Sequence, residues 1–212
     1  MKIFYLDTSS SFLYCGLIED NQVLFEIKKQ FDKDLSKYTL SLIQEQFNKN
    51  EISPKTVDKI ILVNGPGSFT GVRIAITICK TFAWSLNIPI TTISSLQAMA
   101  VSNSNKCDFI VPLIDARRGF VYSAVYDSNY NIVLKEQYIK LDTLLIALEK
   151  LGDNYVFVSN DKFEMNTIKY DPDILKIVNT YKDKESVNVH SIDANYLKLT
   201  EAEEKINDIS NK

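Results

Sequence analysis

Residues 2–29 read KIFYLDTSSSFLYCGLIEDNQVLFEIKK, three runs rich in β-branched and aromatic residues that are separated by short polar turns. The runs cover residues 2–6, 12–19 and 22–29. Residues of these types favour β-strands, and the polar turns mark where one strand ends and the next begins. The stretch therefore predicts a meander of three strands.

Helices alternate with strands after this meander. Residues 33–48 place apolar side chains at helical spacing, which predicts an amphipathic helix. Further along, the pattern predicts a strand at 59–63, a long apolar helix at 71–87, a strand at 90–93 and a serine-capped helix at 95–102. The predicted order is β-β-β-α-β-α-β-α.

The hairpin pattern then recurs 108 residues later. Setting Asp7 against Asp115 aligns Phe12 with Phe120, and the constant offset continues through Tyr14 with Tyr122, Leu17 with Val125 and Glu19 with Asp127. A third strand at 132–139 and a helix at 141–151 follow. We interpret this as two related subdomains, 1–103 plus about 187–212 and 104–186, with chance similarity of two hairpins as the alternative.

A duplicated β-β-β-α-β-α unit is the layout of the actin, hexokinase and Hsp70 superfamily (ASKHA, ribonuclease H-like). The predicted class is therefore α/β with duplicated actin-like subdomains, the second one trimmed. By this analogy Asp7, Thr8 and Asp115 occupy the loops that face nucleotide phosphates and metal in that superfamily, here as vestigial positions. The tail is predicted to form a helix at 193–204 that packs back on the first half.

Composition narrows the class of protein. The 212 residues suit one large domain or two small ones, and 45% hydrophobic residues indicate a globular core. With 24 basic and 27 acidic residues, the net charge of -3 offers no broad attraction to phosphate backbones, so nucleic acid is expected to be held by a partner.

The spacing of the cysteines and the residues at the N-terminus indicate where in the cell the protein is expected. Cys15, Cys79 and Cys107 stand far apart without a CxxC pair, as expected of small hydrophobic residues in a reducing environment. The N-terminus shows no secretory apolar region and no run approaches the length of a membrane span. The expected location is the cytoplasm.

A glycine-rich loop between a predicted strand and a long helix reads NGPGSFTGVR, residues 64–73. It lacks the lysine of a P-loop, and its GxGxxxG spacing with no acidic residue after the next strand is a poor dinucleotide fingerprint. Backbone amides could still bind phosphate there. Alternatively, Pro66 and the glycines shape a tight turn that lets the helix lie close to the sheet.

The run GPGSFTGVRIA resembles the signature of the TsaB (YeaZ) family, carried here by Gly65, Pro66, Gly67, Ser68, Phe69, Thr70, Gly71 and Arg73. Similar matches are IDARRGFVY at 114–122, NIP at 87–89 and the closing Tyr196-Leu197-Lys198 with Glu201-Ala202. Two positions depart from the family pattern. Leu35-Ser36 stands where a His-Ser or His-Thr pair is usual, and Lys198 replaces the closing arginine.

The resemblance implies a non-catalytic relative of the catalytic subunit TsaD that dimerises through its first subdomain and works with TsaD and the small ATPase TsaE. It implies a role in threonylcarbamoyl transfer to adenosine 37 of ANN-decoding tRNAs, with a homodimer when the chain is alone. It implies no cofactor of the chain's own, since ATP and metal are used by the partner subunits, and contact with tRNA only indirectly.

The residues themselves argue against several catalytic classes. His190 is the single histidine, so neither a pair of histidine metal ligands nor a histidine-activated nucleophile has local support. The remaining catalytic alternative is a small-molecule kinase of the actin fold, or another ATP-binding enzyme, using Asp7 and Asp115 across a cleft. Its phosphate turns would be poor in glycine, and both aspartates could simply end strands and accept backbone amides.

The long helix supports a partner subunit. Its apolar residues cover roughly 200° of the helical projection, more than one sheet face needs. A stripe with Arg73, Thr77, Lys80 and Trp84 remains, and Trp and Arg are common interface anchors. Neighbouring helices of the same chain could also cover this surface. The predicted interface comprises Arg73, Ile74, Thr77, Ile78, Lys80 and Trp84.

Overall fold

The computed structural model describes residues 1–103 and 106–198. The fold contains two mixed five-stranded sheets. The first has the order β3-β2-β1-β4-β5, and its strands are β1 (Lys2–Asp7), β2 (Phe12–Glu19), β3 (Gln22–Gln30), β4 (Lys59–Val63) and β5 (Ile90–Ile93). The second has the order β10-β9-β6-β7-β8, and its strands are β6 (Phe109–Asp115), β7 (Phe120–Asp127), β8 (Ile132–Lys140), β9 (Tyr155–Ser159) and β10 (Ile168–Lys169).

The predicted duplication is confirmed. Strands β8, β7, β6, β9 and β10 of the second sheet take the places of β3, β2, β1, β4 and β5 in the first. The first two strands of each half pair antiparallel, and the central strand pairs parallel with the fourth. Strands β2 and β7 begin 108 residues apart, at Phe12 and Phe120, as the sequence offset required. The fold is a duplicated actin-like α/β fold.

Five α-helices pack on these sheets within the described residues: α1 (Leu35–Lys49), α2 (Phe69–Leu86), α3 (Ser95–Ser102), α4 (Leu141–Glu149) and α5 (Ile174–Tyr181). In the first half, α2 connects β4 to β5, whereas residues 160–167 make the corresponding connection in the second half without a helix. Strand β10 has only two residues. The second half is therefore trimmed, as predicted.

Helix α5 was not predicted from the sequence. It follows the second sheet along the chain but packs on α3 and on β1 and β2 of the first sheet. Its buried residues Ile174, Ile177 and Val178 join a core that contains Tyr5 of the first sheet and Tyr126 of the second. The two halves thus share one hydrophobic core, and the proposed limits of the subdomains stay a prediction.

The tail corrects one expectation. Residues 193–198 are not helical, although a helix was predicted for 193–204. Asn64 explains the difference, because its carbonyl accepts a hydrogen bond from the Asn195 amide (2.8 Å) and its side chain donates to the Asp193 carbonyl (3.0 Å). These bonds hold the tail extended against the loop after β4. The rest of the predicted helix lies outside the described residues.

Among the helices of residues 1–103 and 106–198, none is both long enough and apolar enough to cross a membrane.

Candidate functional site

The glycine-rich loop joins β4 to α2 at the carboxyl end of the first sheet. Ser68 caps the helix, since its hydroxyl accepts a hydrogen bond from the Gly71 amide at 3.2 Å. Ser95, at the start of α3, ties the loop down by donating its amide to the Gly65 carbonyl (2.9 Å) and its hydroxyl to the Pro66 carbonyl. The loop is thus fixed by both helices that begin beside it.

Two glycines of this loop make close contact with the turn after β1. A Cβ atom on Gly67 would lie 2.1 Å from the Ser9 carbonyl oxygen, and one on Gly71 would lie 2.0 Å from the Thr8 carbonyl oxygen. Gly71 is helical, so it is required for space rather than for backbone freedom, whereas Gly67 also has a φ of +156°. The glycines thus let the loop and helix α2 pack directly on the Thr8-Ser9 turn.

Hydrogen bonds join the same two segments. The Ser68 amide donates to the Ser9 carbonyl (2.6 Å), and the Thr8 hydroxyl donates to the Gly71 carbonyl (2.7 Å). The Ser9 amide in turn donates to Asp7 Oδ1 (2.7 Å). The amides of Ser68 and Ser9 are therefore bonded within the chain and are not free to bind a phosphate.

A cleft of about 870 Å³ lies between the halves, and both Asp7 and Asp115 line it. Asp7 is buried at its floor, whereas Asp115 is exposed and accepts the Arg117 amide (2.8 Å). The lining carries five aspartates, Asp7, Asp32, Asp34, Asp115 and Asp161, against the two cations Lys33 and Arg117. An excess of carboxylates disfavours a phosphorylated ligand unless cations accompany it.

Burial raises the pKa of the Asp7 carboxyl from 3.8 to about 6, and the hydrogen bonds from Ser9 offset this only in part. A carboxyl whose pKa is higher in the folded state contributes stability at low pH, and that contribution is lost as the pH rises through 6. At neutral pH the ionised Asp7 therefore destabilises the fold.

We expect Asp7→Asn to raise the free energy of unfolding at pH 7 by about 2 kcal/mol, because the amide oxygen can still accept the Ser9 hydrogen bond and carries no buried charge. The gain should shrink as the pH falls from 6 to 4, where the wild-type carboxyl becomes protonated. Urea denaturation across this range measures it. Asp115→Asn is the matched control and should show little change, since Asp115 is exposed.

The six predicted interface residues on α2 have different surroundings. Arg73, Thr77 and Trp84 are exposed, while Ile74 and Ile78 are half-buried. Lys80 is already engaged, because its Nζ donates to the carbonyls of His190 (3.3 Å) and Ile192 (3.0 Å) in the tail.

Arg73 is also partly engaged by the tail. Its guanidinium lies 3.7 Å from the centre of the Phe69 ring and donates from Nε to the Tyr196 hydroxyl at 3.0 Å. Helix α2 and the tail therefore form one continuous surface.

Glu136 on β8 is a contact centre that the sequence did not indicate. Its carboxylate accepts hydrogen bonds from the Ser94 hydroxyl, from the Tyr126 hydroxyl (2.9 Å) and from the Asn195 side-chain amide (3.1 Å). One side chain thus joins the first half, the second half and the tail. A single acidic residue in a strand carries no sequence signal for such long-range contacts.

Metal ligation has no cluster to support it among the described residues, which contain no group of three His, Cys, Asp or Glu side chains able to hold an ion. His190 lies in a short 3₁₀-helix, Val189–Ser191, and is exposed. The buried thiols of Cys15 and Cys79 have raised pKa values because of burial, so they are protonated at neutral pH.

Comparison with known proteins identifies the family of this chain. The family model described as "TsaD: tRNA N6-adenosine threonylcarbamoyltransferase" matches residues 29–204. A Bacillus subtilis protein described as "tRNA threonylcarbamoyladenosine biosynthesis protein TsaB" is 31% identical over an alignment of 223 positions that covers 97% of each chain. The chain belongs to the TsaB family. The TsaB protein of Escherichia coli is 30% identical over 62% of this chain and 57% of its own.

Solved structures show the same fold. A Pseudomonas aeruginosa protein described as similar to peptidase YEAZ superposes with a TM-score of 0.77 at 19% identity, covering 93% of this chain and 99% of its own. A second structure, "YeaZ from Pseudomonas aeruginosa", gives 0.72 at 18% identity, covering 92% and 99%. The chain thus shares its architecture with both over nearly its whole length.

Proposed function

We propose that this TsaB-family chain is a non-catalytic partner subunit in threonylcarbamoyladenosine biosynthesis. It acts with TsaD and TsaE in threonylcarbamoyl transfer to adenosine 37 of ANN-decoding tRNAs. TsaD carries the transfer chemistry, and the partner subunits use the ATP and metal. Family membership supports the pathway, since the curated relatives are named for threonylcarbamoyladenosine biosynthesis in tRNA.

The direct contact between the glycine-rich loop and the Thr8-Ser9 turn carries the non-catalytic part of the proposal. A loop that binds phosphate at a helix N-terminus has to leave space and free backbone amides for it. Here the Ser9 carbonyl occupies the space in front of Gly67 and accepts the Ser68 amide. A phosphate could bind the Ser68 amide only if the turn after β1 moved away from α2.

The surface formed by α1 and α2 supports a protein partner. Trp84 is 67% exposed and Tyr38 is 42% exposed, and Ile74 is half-buried and lines the cleft. Large exposed aromatic side chains on one pair of helices are typical of a protein interface. We propose that this α1/α2 surface binds TsaD, and that it binds a second copy of the chain when TsaD is absent.

A small-molecule kinase, or another ATP-binding enzyme, is the second candidate, and the shared cleft is the observation that favours it. Asp7 and Asp115 line the same 870 Å³ cleft. Tyr170 and Asn160 line it as well, and the buried Asn160 Oδ1 has no hydrogen-bond partner among the described residues. Buried polar atoms without partners can indicate a ligand.

Reconstitution separates the two candidates. We expect purified TsaD and TsaE of the same organism to modify an ANN-decoding tRNA transcript only when this chain is added, with modified adenosine measured by mass spectrometry of digested tRNA. The chain alone should not turn over ATP or threonylcarbamoyl-adenylate, because its glycine-rich loop is packed on the turn after β1 and it has no pair of histidine metal ligands.

Two controls make the result decisive. The Asp7→Asn variant should support tRNA modification like the wild type if the cleft has no catalytic role. Turnover of ATP by the chain alone, abolished in Asp7→Asn but not in a surface control such as Lys150→Gln, would instead establish the enzyme.

A further inference from the structure

Three aromatic rings lie together at one end of the β7–β8 pair. Phe120 and Tyr138 are stacked, with ring centres 4.6 Å apart and an interplanar angle of 8°. Tyr122 lies 5.6 Å from Tyr138 at 47°. All three rings are half-buried, so each ring exposes part of its surface to solvent. We call these three residues the ring cluster.

The packing of the second sheet explains why the cluster is open. Helix α4 covers the opposite face, where Leu144 and Leu148 pack on Val121. Helix α3 packs against the other end of β7, where Ala124 and Tyr126 are buried in the shared core. Because side chains alternate along a strand, Phe120 and Tyr122 lie on the α3 face but beyond the buried end.

Cations surround the ring cluster. Lys140 Nζ lies 5.8 Å from the Phe120 ring centre, and Lys198 Nζ lies 5.4 Å from that of Tyr138. Arg117 and Arg118 are exposed in the turn that leads into Phe120. Within the described part of the chain, no salt bridge joins any of these four cations to a carboxylate. Arg117 also lines the aspartate-rich cleft, so the positive charge beside the rings comes mainly from Arg118, Lys140 and Lys198.

Aromatic rings beside cations that form no salt bridge are suited to an unpaired nucleotide, which has a flat base and a negative phosphate. A base stacks on an aromatic ring whatever its identity, and its phosphate attracts lysine and arginine. A duplex offers only its phosphates, because its bases are already stacked. A protein partner would need acidic and aromatic groups at matching spacing, whereas every unpaired nucleotide brings a base and a phosphate together.

We propose that the ring cluster and its four cations bind a single-stranded segment of RNA directly. The identity of that RNA as a tRNA loop rests on the function proposed above, but the binding itself does not. Sequence composition predicted only indirect contact with tRNA, and the local charge around the cluster is the reason to depart from that prediction.

Fluorescence anisotropy with the full chain alone tests this. The probes are a labelled anticodon stem-loop of an ANN-decoding tRNA and a blunt RNA duplex of equal length. We expect tighter binding to the stem-loop. Tyr138→Leu should weaken it about 5- to 100-fold, as expected for the loss of one stacked base. Lys140→Gln with Lys198→Gln should weaken binding to both probes and lower the dependence on salt.

Lys150→Gln is the matched control, since it removes one exposed positive charge at the end of α4, on the other side of the sheet, and should leave binding unchanged. Thermal unfolding of each variant reports whether it is folded. If Tyr138→Leu does not fold, the two exposed-lysine replacements decide alone.

Equal affinity for stem-loop and duplex, or wild-type binding by the folded variants, would overturn the proposal. So would a loss of affinity for TsaD in Tyr138→Leu without any change in RNA binding, which would make the cluster a protein contact. Because TsaD is absent from the RNA assay, stem-loop binding can hold even if reconstitution shows that the chain is not needed for tRNA modification, and the reverse.

Discussion

Gly71→Ala is expected to destabilise the fold by about 4 kcal/mol or more, even though alanine is the better helix former. In an open helix the change would stabilise by about 1 kcal/mol. Here the new Cβ would lie 2.0 Å from the Thr8 carbonyl oxygen, which belongs to backbone and cannot rotate away. The turn after β1 would have to move, with loss of the bonds from Thr8 to Gly71 and from Ser68 to Ser9.

Urea denaturation followed by circular dichroism measures this effect. Gly119→Ala is the control, because a Cβ there has no neighbour within 4 Å and only the positive φ of +76° opposes it, at a cost of about 1 kcal/mol. If Gly71→Ala were no more destabilising than Gly119→Ala, the close contact with the Thr8-Ser9 turn would not be what requires the glycine at 71.

Trp84→Glu is expected to weaken the complex with TsaD by at least a hundred-fold, or about 3 kcal/mol, while leaving the monomer folded. The side chain is 67% exposed in the isolated chain, so little packing is lost there. In an interface on the α1/α2 surface, the same position would bury an unpaired charge. Ile78→Glu is a poorer test, since Ile78 is half-buried against the core of the first sheet.

Analytical ultracentrifugation with purified TsaD measures this prediction. Ile146→Glu on α4 is the matched control, because Ile146 is an apolar side chain of similar exposure, 58%, in the second half. It should not affect the complex. If Ile146→Glu separated the subunits and Trp84→Glu did not, the partner would bind the second half and the α1/α2 surface would be the wrong assignment.

The repeated hairpin was predictable because its signals are local in sequence. These signals are the residue pattern of the strands and the aspartate that ends the first strand of each half. Helix α5 was missed although Ile174, Ile177, Val178 and Tyr181 follow helical spacing and Asp173 caps the helix. That signal is short, eight residues, and follows a connection in which strands are also short. Its packing on the first sheet is a tertiary result that periodicity alone cannot indicate.

The place of the glycine-rich loop between a strand and a long helix was predicted, but the contacts of the loop were not. The sequence offered two interpretations of the glycine-rich loop, a phosphate site or a close contact with the sheet. The 2.0 Å and 2.1 Å approaches of Gly71 and Gly67 to the first turn favour close contact, and they depend on residues about 60 positions away. Likewise the helix predicted for the tail was wrong at residues 193–198, because Asn64 supplies hydrogen bonds that local sequence does not reveal.

Glu136 has a mechanical consequence for the cleft. A hinge motion that widened the cleft would break the hydrogen bonds that Ser94 and the Asn195 side chain donate to Glu136. Hydrogen bonds to a charged group contribute about 1.5–3 kcal/mol each, so losing two of them would leave an open form at about one molecule in a hundred or fewer. We therefore expect the two halves of the chain to keep one relative orientation when partners bind.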